Sequence, residues 1–256
     1  MTLKVHLQLA DKIWLVTDRG VAEEDGYFGW VIATDTTILW EGNGYVPSNP
    51  KLLETLRAEG SSHLAMMVFL KHYCRYYGVS IQDDATIHFT DNKGVVGRMN
   101  WYQVRVLQTP SECLAPDFDV QAQVEAIYQE LQINTPTRWV RGHQDKQKKK
   151  SWETVLNIRA DELATEARNQ ITTKDRTTTM TLLPACNAHL VIKGAPITRK
   201  ITKIIRDEWC EVEVRKYCKR KYKWTKIDFD NVDWSASGKT HSDSGFLQQR
   251  FITRYI

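Results

Sequence analysis

Four acidic residues stand at places where a fold could bring their carboxylates together. Asp18 and Asp91 each end a short, largely apolar run that predicts a buried strand. Glu59 and Asp161 lie in what we predict to be the first turns of two helices. Because groups at the carboxyl ends of neighbouring strands converge in an open sheet, we expect the two aspartates to meet there.

Four carboxylates at one place would repel one another and raise each other's pKa values unless cations neutralise them. Mg²⁺ suits such a cluster, since it is a hard ion that takes carboxylate oxygens and keeps several waters. Two such ions about 4 Å apart can activate a water and stabilise the leaving oxygen of a phosphodiester displacement. The pattern therefore predicts a site for two Mg²⁺ ions, for which Mn²⁺ could substitute.

Each of the four acids also has an ordinary structural explanation. Asp18 could be a turn residue, and Asp91 with Asn92 could form the exit from a strand. Glu59 and Asp161 could be acids favoured by the dipole of a helix N-terminus. The prediction of a metal site therefore depends on all four together, in this order along the chain.

A histidine, His143, follows Arg141-Gly142 at the end of a further predicted strand. A loop histidine titrates near neutral pH, so it could give or take a proton during hydrolysis. The alternative is that His143 is an exposed loop residue with no part in chemistry. By contrast, His63 is expected to pack or hydrogen-bond on its own helix.

The elements that must position these residues are read from hydrophobic periodicity. Their predicted order is β-β-β-α-β-α-α-β-α, with strands at 13–17, 26–33, 37–46, 85–90 and 137–141 and helices at 53–77, 94–106, 120–131 and 157–169. A three-stranded meander followed by alternating helices and strands predicts an α/β fold, a five-stranded mixed sheet flanked by helices.

Three segments are expected along the chain. Residues 1–170 form the α/β domain, the Thr-rich residues 171–181 form a linker, and residues 182–256 form a smaller basic α+β extension. Within the extension we predict a tight hairpin around Lys193-Gly194 and a basic amphipathic helix over 201–222.

Charge and composition narrow the class of protein. Residues 1–145 carry 12 Lys and Arg against 18 Asp and Glu, whereas residues 146–256 carry 23 against 13. The basic part indicates a polyanionic partner such as nucleic acid, or else a solubilising face. No apolar run approaches the ~20 residues that span a bilayer, and neither a signal-peptide segment nor a Cys-x-x-Cys pair is present. We therefore expect an intracellular protein of the cytoplasm or nucleus, neither secreted nor membrane-bound.

The motifs around the acids resemble those of a known family. They are Thr17-Asp18, Arg57-Ala-Glu59-Gly60, Thr90-Asp91-Asn92, Trp139-Val-Arg-Gly-His143-Gln-Asp145 and Asn157-Ile-Arg-Ala-Asp161-Glu-Leu-Ala164. Over about residues 11–170 the chain resembles type 1 ribonuclease H. It is most similar to the ribonuclease H domains attached to reverse transcriptases of eukaryotic retroelements.

The resemblance implies a role for each acidic residue. Asp18 would bridge both metal ions, and Glu59 and Asp91 would complete the site of the ion near the leaving group. Asp161 would bind the ion that activates water. His143 matches the family's mobile-loop histidine, which assists proton transfer or product release.

The resemblance also implies a substrate and the residues that hold it. The substrate would be an RNA/DNA hybrid, recognised by its 2′-hydroxyls on one strand and its deoxyribose shape on the other. A reverse transcriptase domain upstream in the same polyprotein would be a further partner. The residues expected to contact the substrate are Arg19, Gly20, Asn92, Asn157, Lys148, Lys149 and Lys150.

Two departures from the family pattern bear on activity. Arg19 stands where a glycine is usual after the first aspartate, so it could crowd the substrate or contact a phosphate. The basic handle that some members carry is absent from residues 93–136. Grip on the hybrid is therefore expected from elsewhere, from Lys146–Lys150 or the basic C-terminal part, unless those lysines form only a solvated loop.

Two functions stay open on the sequence alone. The first is an endonuclease that cuts the RNA strand of hybrids, and the second is a non-catalytic module of the same fold that binds nucleic acid or protein. A transposase or integrase core would usually offer Glu in place of Asp161. A proofreading exonuclease would need Asp-x-Glu on the first strand, where this chain has Asp18-Arg-Gly20.

Overall fold

The computed structural model describes residues 3–8, 12–22, 25–47, 52–82, 85–104, 110–142, 144, 149–170, 183–186, 189–234 and 239. The chain divides into two compact units, residues 1–201 and 202–256. The predicted linker, 171–181, lies outside the described residues, so the division into domain, linker and extension stays a prediction.

The first unit is built on a five-stranded sheet. Its strands are β1 (Ile13–Ala22), β2 (Asp25–Ala33), β3 (Ile38–Tyr45), β4 (Thr86–Thr90) and β5 (Thr137–Trp139). They lie in the order β3-β2-β1-β4-β5, with β2 antiparallel to β1 and β3, and with β4 parallel to β1 and β5. This five-stranded mixed sheet flanked by helices confirms the predicted fold class.

The described part of the first unit also contains helices. They are α1 (Leu3–Gln8), α2 (Thr55–Tyr77), α3 (Lys93–Val104), α4 (Phe118–Leu131) and α5 (Trp152–Gln170), with a short 3₁₀ helix at Pro110–Leu114. α2 stops where the sequence predicts, because Gly78 takes the left-handed conformation at φ 62°. α1 was not predicted; its Leu3 and Leu7 are buried in the core.

Side chains alternate between the two faces of the sheet along β1. Ile13 and Leu15 belong to the core that α2 covers, whereas Val16 packs into the core that α5 covers. By the same alternation, Thr17 and Arg19 lie on the α2 face and Asp18 lies on the α5 face. The two helices therefore reach the end of β1 from opposite sides.

The predicted end of β1 is wrong. The strand does not stop before Asp18 but continues to Ala22, because its antiparallel pairing with β2 runs on to that residue. The parallel pairing with β4 does end at Thr17. Asp18 therefore sits inside a strand, at the first position beyond the parallel part of the sheet.

The predicted start of α5 is also wrong. The helix begins at Trp152 rather than Asn157. Ser151 Oγ accepts a hydrogen bond from Thr154 N at 3.4 Å, which caps an earlier turn. Asp161 therefore lies in the middle of α5 and not in its first turns, so a helix-dipole role does not explain it.

A buried ion-pair network joins the start of α2 to the loop before α4. Arg57 donates to both carboxylate oxygens of Asp119, at 2.9 and 3.0 Å, and to Asp117 Oδ1 at 3.4 Å. Asp117 Oδ2 lies 3.5 Å from Arg199 Nε. Burial raises the pKa of Asp117 to about 6, although both arginines act to lower it.

The predicted hairpin is confirmed and belongs to the first unit. β6 (Leu190–Ile192) pairs with β7 (Ala195–Ile197). The turn residues Lys193 and Gly194 have φ of 52° and 81°, as a two-residue hairpin of this kind requires.

The second unit contains the predicted basic helix with the predicted bounds. This is α6 (Ile201–Tyr222), whose first residue is the last of the first unit, and it is followed by α7 (Lys226–Asp230). Arg215 of α6 donates to Glu211 at 3.0 Å and to Asp230 at 2.6 Å. Among the described residues, no helix is both long enough and apolar enough to cross a membrane.

Candidate metal centre

Three of the four predicted acids meet where the parallel pairing of β1 with β4 ends. Asp18, Glu59 and Asp91 each offer a carboxylate oxygen within 4.8 Å of the other two. Asp18 is 5% exposed and Glu59 is fully buried, while Asp91 is half-buried. A cluster this close and this buried is electrostatically costly without a cation.

Two threonine hydroxyls hold Glu59 in place. Thr17 and Thr90 are direct partners in the parallel pairing of β1 with β4. Both hydroxyls donate to the same oxygen, Glu59 Oε1, with Thr17 at 3.2 Å. The other oxygen, Oε2, has no hydrogen-bond partner among the described residues and lies 3.9 Å from Arg19 Nε. Glu59 therefore presents one fixed oxygen and one available oxygen.

A buried histidine stands behind this arrangement. His88 Nε2 lies 2.9 Å from Thr17 Oγ1, and His88 Nδ1 lies 3.3 Å from Thr137 Oγ1. Since the Thr17 hydroxyl gives its single hydrogen to Glu59, His88 must donate through Nε2 and accept through Nδ1. Burial lowers the pKa of His88 well below its usual value, so the ring is neutral and fixed in this tautomer.

His63 was expected to pack or hydrogen-bond on its own helix; it is packed, but its partners lie on β4 and α4. Its ring stacks on His88 with centroids 3.8 Å apart, and its Nε2 hydrogen-bonds to the Tyr128 hydroxyl at 2.8 Å. Burial lowers the pKa of His63 to about 3. His63 is thus a neutral core residue one turn beyond Glu59.

Asp18 is held from the opposite face of the sheet. Its Oδ1 accepts from the Arg19 backbone N–H at 2.7 Å, and its Oδ2 accepts from Asn157 Nδ2 at 3.1 Å. Asn157 and Asp161 are four residues apart on α5 and so lie on one helix face. The negative charge of Asp161 contributes to raising the pKa of Asp18, as do the charges of Glu59 and Asp91. The other three predicted acids therefore all influence Asp18 electrostatically.

Gly29 allows α5 to approach the sheet closely enough for Asn157 to reach Asp18. It pairs directly with Asp18 across β1 and β2. A Cβ added at Gly29 would overlap the carbonyl oxygen of Ala160 and crowd the backbone nitrogen of Ala164. The close contact at Gly29 therefore sets the distance between α5 and Asp18.

Burial and mutual repulsion shift the titration of the cluster. Burial is the largest cause of the raised pKa of Asp18, followed by the charges of Glu59 and Asp91. Burial also raises the pKa of Glu59 to about 7, against the lowering effects of the threonine hydroxyls and Arg19. A bound cation would favour the ionised carboxylates and so would lower these raised pKa values.

The donor set fits a hard divalent cation. Buried oxygens of Glu59 (Oε2), Asp91 (Oδ1) and Asn157 (Oδ1) have no hydrogen-bond partner in the described structure. Buried polar atoms are ordinarily satisfied, so the unpaired oxygens at this carboxylate cluster are available to a cation or a hydrogen-bond donor. Carboxylate and amide oxygens are ligands that Mg²⁺ and Mn²⁺ accept.

The remaining predicted site residues have different surroundings. Asn92 Oδ1 accepts from Gly94 N and Val95 N at 2.9 and 3.2 Å, so this side chain caps α3. A Cβ added at Gly20 would meet nothing within 4 Å, which leaves open space beside Asp18. Lys149 and Lys150 are exposed.

His143 and Lys148 lie outside the described residues. Gly142, which precedes His143 in the chain, packs so closely on Asp91 that an added Cβ would overlap Asp91 Oδ2. A side chain at this position of the Arg-Gly-His motif would displace the carboxylate of Asp91, a candidate ligand.

Sequence reasoning missed His88 and Gly29. Nothing in the sequence marks a histidine inside a strand as a partner of Thr17, because that contact depends on parallel register. A usable signal did exist for the threonines, since Thr-Asp occurs at the ends of both predicted strands, at 17–18 and 90–91.

No family model matches the sequence, and no curated protein matches it. Among solved structures, the N-terminal ribonuclease H domain of a Mycobacterium tuberculosis protein is 18% identical, with TM-score 0.42, over 62% of this chain and 94% of that chain. LC11 ribonuclease H1, solved with an RNA/DNA hybrid, is 19% identical, with TM-score 0.45, over 62% and 98%. Prototype foamy virus protease-reverse transcriptase is 14% identical, with TM-score 0.41, over 63% and 21%. Values this low carry no argument about activity, so the fold assignment rests on the strand order of this chain.

Proposed function

We propose that this protein is a type 1 ribonuclease H, a metal-dependent endonuclease that hydrolyses the RNA strand of RNA/DNA hybrids. The observation that carries the proposal is the meeting of Asp18, Glu59 and Asp91 within 4.8 Å, with unpaired buried oxygens, at the edge of a ribonuclease H-like sheet. The sequence motifs around these residues add the substrate class.

In this proposal four acids hold the metal ions. Asp18 would serve both ions, Glu59 and Asp91 would complete the site of one, and Asp161 would hold the other. Two Mg²⁺ ions, or Mn²⁺ in their place, would activate a water and stabilise the leaving oxygen. Asn157 orients Asp18 through the 3.1 Å hydrogen bond from its Nδ2. Its side-chain oxygen, Oδ1, has no hydrogen-bond partner among the described residues and would be available to a metal ion or the substrate.

Other residues of the chain would handle the substrate and protons. His143 would move a proton or help product leave, as a histidine near neutral pKa can. The open space at Gly20 would admit the RNA backbone beside Asp18. The exposed Lys149 and Lys150, together with Lys148, would contact phosphates. Asn92 would contact a nucleotide while it caps α3. The retroelement-like motifs further suggest a reverse transcriptase domain upstream in the same polyprotein.

One observation favours a second candidate, a non-catalytic module of the same fold that binds nucleic acid or protein. Arg19 brings a positive charge to within 3.9 Å of Glu59, inside the carboxylate cluster. A fixed arginine there could neutralise part of the cluster in place of a metal ion. Such a protein would bind hybrid without cutting it.

A cleavage assay separates the two candidates. The RNA strand of a hybrid is labelled at its 5′ end and incubated with the full chain over a titration of Mg²⁺ or Mn²⁺, beside double-stranded RNA and DNA. We expect metal-dependent cuts within the RNA of the hybrid only, lost in Asp91→Asn and kept in Asp207→Asn, an exposed aspartate of the second unit. Hybrid binding without cleavage at any metal concentration would establish the second candidate.

A further inference from the structure

Arg19 turns its side chain toward the carboxylate cluster. It lies on the α2 face of β1, two positions after Thr17, whose hydroxyl also contacts Glu59. Its side chain is 27% exposed, and its Nε is buried 3.9 Å from Glu59 Oε2. The residue that the sequence marked as unusual therefore points at a candidate metal ligand from the side opposite Asp18.

Neither Arg19 Nε nor Glu59 Oε2, the two atoms that face each other, has a hydrogen-bond partner among the described residues. Arg19 Nε and Glu59 Oε2 are both buried and both unsatisfied, while Glu59 Oε1 already accepts two hydroxyls. At 3.9 Å the pair attracts electrostatically without forming a hydrogen bond. Arg19 thus offsets the negative charge on Glu59 Oε2 and leaves this oxygen without a direct ligand.

From this geometry we propose that Arg19 is a built-in counter-ion of Glu59, which competes with divalent cations and raises the metal concentration that the site requires. The inference rests on the metal centre of the proposed function and adds a regulation of that centre by the chain itself. An Mg²⁺ or Mn²⁺ ion bound to Oε2 would lie about 2.1 Å from that oxygen, and so close to the guanidinium. Like charges at that separation disfavour one another, which lowers affinity for the ion.

Metal binding by the full chain, without nucleic acid, tests this directly. Free Mn²⁺ is measured by electron paramagnetic resonance during titration of the wild type, Arg19→Gln, Arg19→Gly and Arg19→Lys. We expect the two uncharged variants to bind Mn²⁺ about tenfold more tightly, as loss of one nearby like charge implies. Arg19→Lys keeps the positive charge near Glu59, and its Mn²⁺ affinity should stay within about twofold of that of the wild type.

Thermal unfolding separates competition from a merely structural role. In EDTA the uncharged variants should melt below the wild type, because Glu59 has lost its counter-ion. Saturating Mn²⁺ should raise the melting temperature of the uncharged variants by more than it raises that of the wild type. Arg75→Gln, at an exposed arginine near the end of α2, serves as the control and should change Mn²⁺ affinity in neither direction.

Equal or weaker Mn²⁺ binding by both uncharged variants would overturn the inference. So would a stability loss that is the same with Mn²⁺ as with EDTA. Tighter Mn²⁺ binding together with absent hybrid cleavage would support the inference and reject only the proposed nuclease activity. If the double variant Arg19→Gln with Asp91→Asn no longer binds Mn²⁺ more tightly than the wild type, the bound ion lies at the carboxylate cluster.

Discussion

Replacing Glu59 by Gln should stabilise the metal-free protein while removing its response to divalent ions. The substitution keeps the shape of the side chain and one carbonyl oxygen to accept from Thr17 and Thr90. It removes a fully buried negative charge from beside Asp91 and Asp18. The result would be opposite to the usual effect of altering a fully buried residue.

The magnitude follows from the titration of Glu59. Burial raises its pKa from 4.5 to about 7, which at 1.36 kcal/mol per pH unit corresponds to about 3 kcal/mol. Because the folded pKa lies above the unfolded value, Glu59 contributes full stability below pH 4.5 and loses it as pH rises to about 7. The wild type in EDTA should therefore lose stability over this window, and Glu59→Gln should lose less.

Urea unfolding at pH 5 and pH 8, each in EDTA and in Mg²⁺, measures these effects. At pH 8 in EDTA, Glu59→Gln should exceed the wild type by about 2–3 kcal/mol. Mg²⁺ should stabilise the wild type and not the variant. Glu130→Gln is the control: salt bridges lower the pKa of this exposed carboxylate, so its removal should not stabilise. A Glu59→Gln protein that is less stable than the wild type at pH 8 in EDTA would refute the reasoning.

Three further substitutions test how the site is supported, each by urea unfolding in EDTA and the second also by Mn²⁺ titration in the absence of EDTA. Arg57→Met leaves Asp119 as an uncompensated buried carboxylate and should cost about 3–5 kcal/mol, while an equally stable variant would show that the network is dispensable. His88→Leu deprives Thr17 of its donor and should cost about 1–3 kcal/mol with weaker Mn²⁺ binding; unchanged Mn²⁺ affinity would remove His88 from the account. Gly29→Ala places a methyl group into the backbone of α5 and should cost about 1–3 kcal/mol, whereas an unchanged midpoint would mean that α5 can move away freely.

The sheet and most helices could be predicted because their signals are local. Periodicity predicts the order of strands and helices, and Gly78 and Lys193-Gly194 mark a helix end and a turn by their conformational preferences. The end of β1 could not be predicted in this way. It depends on how far β2 pairs with β1, which is a property of two distant segments.

The candidate site shows the same division. The four acids could be found because Asp18 and Asp91 end apolar runs and because the motifs around them are recognisable. The support behind them could not, since His88 reaches Thr17 only through the parallel register of β1 and β4. The direction of Arg19 likewise follows from strand alternation within the folded sheet, and the sequence alone left it open.

The most direct test of the central claim is a crystal of the full chain soaked in Mn²⁺ and measured at a wavelength where manganese scatters anomalously. We expect anomalous peaks bonded to carboxylate oxygens of Asp18, Glu59 and Asp91, with Asp161 close to a second peak. Anomalous peaks only elsewhere on the protein, with this cluster free of metal at saturating Mn²⁺, would contradict it.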